Sequence, residues 1–201
     1  MEKTICIFGD SITWGAVDVE NGGWATQLER YFKTNDYDII VYNQGVLGDN
    51  TDGLLARFKV ECEAREPQVI IFAIGINDSS YIKTKDNPGI SLEKFQNNLV
   101  ELINQAKKFS DKIIFVGLTK VEESKVMPII FSNEENFYDN NSIAKYDAII
   151  KKVSDDNNLS FVNLFDLLEP SDLDDGLHPN SKGHKKMFLK IKGFLRINKI
   201  M

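Results

Sequence analysis

Val69-Ile70-Ile71-Phe72-Ala73-Ile74-Gly75-Ile76-Asn77-Asp78 is the stretch that decides the fold. Six apolar residues follow one another without the alternation of a half-exposed strand, and a glycine then ends the run. A strand carries that pattern when both of its faces are covered, as they are inside a parallel sheet flanked by helices. With residues 69–74 as one strand, four more segments read the same way: 4–8, 37–42, 112–118 and 160–164. Ile39-Ile40-Val41 and Ile113-Ile114-Phe115-Val116 form the apolar centres of two of them.

The intervening segments have helical spacing. Trp24, Leu28, Tyr31 and Phe32 make one stripe, and Leu54, Leu55, Phe58 and Cys62 another. The longest runs through Leu92, Phe95, Leu99, Leu102, Ile103, Ala106 and Phe109. A fourth holds Ile143, Tyr146, Ile149, Ile150 and Val153, and a last one Met187, Ile191, Phe194 and Leu195. Strand and helix alternate from end to end, which predicts an α/β architecture: a five-stranded parallel sheet with helices on both faces. Residues 1–201 contain no repeat, linker or low-complexity tract and are expected to form one domain.

Composition removes several classes of function. Net charge is −6, the wrong sign for a general nucleic-acid binder. No apolar run is long enough to span a bilayer, so membrane insertion is not expected. Met1-Glu2-Lys3-Thr4 leads into a strand without the features of a signal peptide, and a cytoplasmic location is the expectation. Cys6 and Cys62 fall at apolar positions and read as reduced, buried thiols. Cysteine and histidine are not clustered at ligand spacing, so neither a metal nor an organic cofactor is expected. Oligomeric state is not written in the pattern. Acidic residues at 166, 169, 172, 174 and 175 precede Lys182, Lys185, Lys186, Lys190, Lys192, Arg196 and Lys199. That basic run reads as an anion patch or, in preference, as the solvated face of a terminal helix.

In a parallel sheet the loops after the strands' C-terminal ends share one rim. Read in order, they are Gly9-Asp10-Ser11, then Asn43 to Asp49 with Gly45 and Gly48, then Gly75-Ile76-Asn77-Asp78, and finally Asp175-Gly176-Leu177-His178. A serine hydroxyl needs a base to take its proton and a third group to orient that base. His178, one of two histidines, can draw off the Ser11 proton and return it to a leaving group. Asp175 can hold the other imidazole N–H. Attack on a carbonyl would create an oxyanion, for which the amides of Ser11 and Gly48 and the side-chain amide of Asn77 are candidate donors.

These four blocks resemble those of the SGNH (GDSL-type) hydrolases: Gly9-Asp10-Ser11, Gly48, Gly75-x-Asn77-Asp78 and Asp175-x-x-His178-Pro179. The resemblance spans nearly the whole chain. It implies a flavodoxin-like three-layer α/β/α sandwich, Ser11 as nucleophile and oxyanion donor, Gly48 and Asn77 as the other donors, and Asp175 with His178 completing a triad. It further implies hydrolysis of a small-molecule carboxylic ester, as an esterase, lipase or acylhydrolase. A thioesterase, an acetyl-sugar esterase or an acyltransferase would use the same residues, and a non-catalytic flavodoxin-like binding module would need none of them paired.

Other residues compete for roles. Ser11 taken alone could cap a helix. Asp10 is expected to tie down its loop, and Asp49 and Thr51 to cap the helix at 54–62; Asn77 and Asp78 could each form a turn, with Asn77 preferred as a donor and Asp78 as structural support. Asp172 and Asp174 compete with Asp175; only Asp175 has the family's spacing to His178. His184 reads as a surface or partly buried histidine. Trp14, Trp24 and Tyr81 could line a pocket, but such aromatics read first as core. The connections at 79–90 and 119–140 exceed what a βαβ unit needs. The second holds Met127-Pro128-Ile129-Ile130-Phe131 and is read as a pocket wall ahead of a sheet-edge cover.

Overall fold

A computed structural model of the protein describes residues 3–129 and 136–201. The strands are β1 (Lys3–Gly9), β2 (Ile39–Gly45), β3 (Val69–Ala73), β4 (Tyr81–Ile82), β5 (Ile113–Val116), β6 (Asn136–Phe137) and β7 (Ser160–Val162). The helices are α1 (Ser11–Trp14), α2 (Gly23–Thr34), α3 (Thr51–Glu63), α4 (Leu92–Ala106), α5 (Glu123–Val126), α6 (Asn140–Asp156) and α7 (Ser181–Ile197). The main sheet has the order β2-β1-β3-β5-β7, and every pairing in it is parallel. Helix α2 packs with α7, while α3, α4 and α6 form a second packed group. The architecture is a three-layer α/β/α sandwich.

The central strands match their sequence pattern because burial on both faces leaves no polar positions. Ile5 to Phe8 and Val69 to Phe72 are wholly inaccessible to solvent. Strand β2 differs from its expected 37–42 span. It begins at Ile39, because the Tyr37 amide still donates to Phe32 O at the end of α2, and it continues through Asn43-Gln44-Gly45. An edge strand hydrogen-bonds on one side only, so polar residues extend it at little cost. Strands β5 and β7 are shorter than expected, with four and three residues.

The shortest features escape periodicity altogether. Helix α1 is a single turn, and β4 with β6 is a two-residue antiparallel ladder joining the two long connections. In that ladder Tyr81 stacks on Phe137 with ring centroids 5.4 Å apart.

Register sets up the rim. Gly9 is level with Gly45 on one side and Ala73 on the other. The three loops that follow β1, β2 and β3 therefore leave the sheet at the same height. Helix α1 lies directly against the end of β2: a Cβ on Gly45 would come within 2.2 Å of Trp14 N. Among the described residues no helix is long and apolar enough to cross a membrane.

Candidate active site

Ser11 is the first residue of α1, and Asp10 rather than Ser11 is the cap. The Asp10 carboxylate accepts from Ile12 N at 2.9 Å. The serine side chain is thereby free for other work. Its Oγ lies 2.8 Å from His178 Nε2, across 167 residues of sequence. On the far side of the ring, His178 Nδ1 is 2.6 Å from Asp175 Oδ2. A carboxylate only accepts, so Nδ1 carries the proton and Nε2 presents its lone pair to the Ser11 hydroxyl.

The Asp175–His178 loop is held from several directions. Asp175 Oδ1 accepts from the amides of Leu177 and His178 at 2.9 and 2.8 Å. Asp174 N donates to His178 O, and Glu122 N to Gly176 O. Burial would raise the Asp175 carboxyl, but the His178 ring and the two amides outweigh it and hold the group at about 2. Asp172, a competitor by sequence, is instead paired with Lys182 and Lys186 at the start of α7. Asp174 contributes only its backbone.

Gly48 sits at φ +73°, a left-handed conformation that L side chains adopt with strain, and a Cβ there would meet nothing within 4 Å. Glycine is required by the backbone, while the space beside it is open cavity. Asn77 Nδ2 donates to Asp49 O at 2.7 Å, linking the loop after β3 to the one after β2. Asp78 strengthens that link by accepting from Thr51 N at 3.1 Å and from the Thr51 hydroxyl. The expected caps of α3 are corrected here. Asn50 is the cap, accepting from Gly53 N; Thr51 serves Asp78, and Asp49 binds Arg57.

Ser11, Gly48, Asn77, Asp175 and His178 line one cavity of about 550 Å³. The remaining wall is mostly apolar: Ala16, Val17, Leu47, Ile129 and Leu177, with Asn136 and Tyr138. The 119–140 connection thus supplies part of the wall, while Ile130 and Phe131 lie outside the described residues. Trp14 is half exposed, Trp24 is core, and Tyr81 belongs to the β4–β6 ladder; none of them lines this cavity.

Two residues here were invisible in the sequence. The Arg57 guanidinium donates to Gly9 O, Gln44 O and Asp49 Oδ2, clamping the ends of β1 and β2 to the Gly48 loop. As a helix arginine it gave no signal. Tyr138, read only as part of an apolar loop, donates its hydroxyl to Asn77 Oδ1 at 3.0 Å. His184 also departs from expectation. It is fully buried where α7 meets α2, accepting from Trp24 N, and burial pushes its pKa down. The basic run of α7 finds local partners, with Lys185 and Lys192 over the Phe188 ring.

The sequence pattern of the GDSL-like Lipase/Acylhydrolase family matches residues 7–186. The chain belongs to this family. Esterase TesA of Pseudomonas aeruginosa is 25% identical over 116 residues, which are 58% of this chain and 54% of that one. The chain spans about half the length of the curated relatives it first matches. A lipase/acylhydrolase from Enterococcus faecalis superposes with TM-score 0.79 at 22% identity, covering 98% of this chain and 96% of that one. An acetylxylan esterase from Geobacillus stearothermophilus gives 0.74 at 21% identity, covering 96% and 93%. These structures share the three-layer fold.

Asp10 makes the family's Gly-Asp-Ser turn pH-sensitive. Burial lifts its carboxyl to about 7, against an ordinary value near 4. The fold therefore favours neutral Asp10, and the associated stability is present at pH 4 and lost as pH rises through 7. Asp78, lifted by burial to about 6, acts in the same direction. Asp10→Asn keeps an oxygen for the Ile12 amide but cannot ionise. Its melting temperature should fall less than the wild type's between pH 5 and 8; parallel curves would refute the assignment.

Proposed function

We propose that the protein hydrolyses a carboxylic ester through a Ser11 acyl-enzyme. The observation that carries the reading is the 2.8 Å contact between Ser11 Oγ and His178 Nε2, with Asp175 on the opposite ring nitrogen. As Oγ bonds to the acyl carbon, its proton passes to Nε2, and Asp175 stabilises the imidazolium. The carbonyl oxygen becomes an oxyanion facing Ser11 N, Gly48 N and Asn77 Nδ2. Collapse breaks the bond to the alcohol, which leaves with the Nε2 proton. Water then enters and attacks the acyl carbon as its proton passes to His178 Nε2; collapse breaks the bond to Oγ, which takes that proton back, so the acid leaves and the Ser11 hydroxyl and neutral His178 are restored.

The apolar side chains of Val17, Leu47, Ile129 and Leu177 favour a longer, apolar acyl group over acetyl. A reducing, cytoplasmic setting belongs to the same reading. It is supported by two free, buried thiols, Cys6 and Cys62, each pushed by burial to about 12. The test is a chain-length series of chromogenic esters together with an organophosphonate probe. Labelling should map to Ser11, and kcat/KM should rise from acetyl to longer acyl groups. Preference for acetyl esters would reverse the substrate assignment, and failure to label Ser11 would leave a binding module.

A further inference from the structure

The Asn77 amide has two N–H donors and one oxygen, and its surroundings settle where each points. Asp49 O is a carbonyl and only accepts, so Nδ2 faces it at 2.7 Å and one N–H is used there. Oδ1 accepts the Tyr138 hydroxyl at 3.0 Å. Among the described residues no acceptor takes the second N–H, and Asn77 and Tyr138 both line the cavity. Tyr138 itself is firmly placed. Its side chain is almost fully buried, and its amide donates to Val126 O at 3.1 Å.

We infer that Tyr138 is a positioning residue for the oxyanion hole, its O–H fixing the Asn77 amide plane so that the free N–H meets the developing negative charge. The inference rests on the ester-hydrolase reading above. Two physical effects follow from the one hydrogen bond. It stops the side chain from turning about its terminal torsion, which otherwise has a broad energy well. It also draws electron density toward Oδ1, which makes the remaining N–H a better donor. Burial, with the nearby Asp10 carboxyl, pushes the Tyr138 phenol up to about 12, so the donor stays protonated across the working range of a histidine base.

Four proteins test this: wild type, Tyr138→Phe, Asn77→Ala and the double variant, each assayed for kcat and KM on one ester. Losing an oxyanion donor in Asn77→Ala should lower kcat by about 10²-fold. Tyr138→Phe should lower kcat by roughly tenfold with KM nearly unchanged, because the bond acts through the transition state. In the Asn77→Ala background the same change should have no further effect on kcat. Equal losses in both backgrounds, a change confined to KM, or no change at all would overturn the inference. If Asn77→Ala is as active as wild type, the oxyanion-hole assignment fails and Tyr138 has nothing to position. If only the coupling is missing, the Tyr138 inference falls alone. Should Tyr138→Phe fold poorly, 3-fluorotyrosine at position 138 preserves packing with a stronger O–H donor. It should then raise kcat, and an unchanged kcat would count against the inference.

Discussion

Ser11→Ala is expected to lower ester turnover by roughly 10⁵-fold or more while leaving the protein folded. The two halves of that result come from different parts of the residue. In the proposed mechanism the hydroxyl is the atom that attacks; without it His178 can activate only water, and the remaining rate would reflect binding and the oxyanion donors. The backbone is what α1 needs, and it survives. Asp10 supplies the cap through Ile12 N, and Gly15 N donates to Ser11 O. Deleting Oγ removes one hydrogen bond at the edge of a cavity that water reaches. The cost is about 1 kcal/mol or less, or ~2–4 °C in melting temperature for a chain of this size. A variant that kept most of its turnover would remove Ser11 from the chemistry. One that lost its cooperative melt would mean the serine had been a structural residue after all.

What could be read from the sequence followed the length scale of each signal. Strands β1 and β3 are legible because complete burial leaves an unbroken apolar run, and the α4 stripe is legible because fifteen residues give four turns of repetition. The rim follows from both, since parallel strands leave their loops on one side. That logic predicts Ser11, Gly48, Asn77 and the Asp175–His178 loop on one rim, where they line one cavity. A single turn such as α1, or the two-residue ladder of Tyr81 with Phe137, carries too few residues for a period. Contacts between distant side chains leave no trace at all. Arg57 reads as an ordinary helix arginine until its guanidinium is seen on Gly9 O and Gln44 O. Asp49 and Thr51 read as the caps of α3, and neither is: Asn50 caps it, and Arg57 takes Asp49. Asp78, 27 residues after Thr51, takes Thr51 for itself. His184 reads as a surface or partly buried histidine among lysines because the packing of α2 against α7, which buries it fully, cannot be seen from α7 alone.

Asp175→Asn should be nearly as damaging as losing the nucleophile, for a reason that is purely about which nitrogen holds a proton. The Asp175 Oδ1 position is fixed by two amides, from Leu177 and His178, and both of those are donors. An asparagine must therefore keep its oxygen there and turn its NH₂ toward His178 Nδ1. Two N–H groups cannot face each other, so Nδ1 gives up its proton and accepts. The proton moves to Nε2, which then points an N–H at Ser11 Oγ where a lone pair was needed. Turnover should drop on the order of 10⁴-fold, and phosphonate labelling of Ser11 should slow with it. Stability carries a separate signature. The wild-type carboxyl is held at about 2, below its unfolded value, so its contribution is present above pH 4 and lost as pH falls through 2. The variant never had that contribution. It should melt below the wild type at pH 7, and the gap should close as the solution is acidified toward pH 2. Turnover within tenfold of wild type would show that His178 is oriented without Asp175, and the triad would lose its third member.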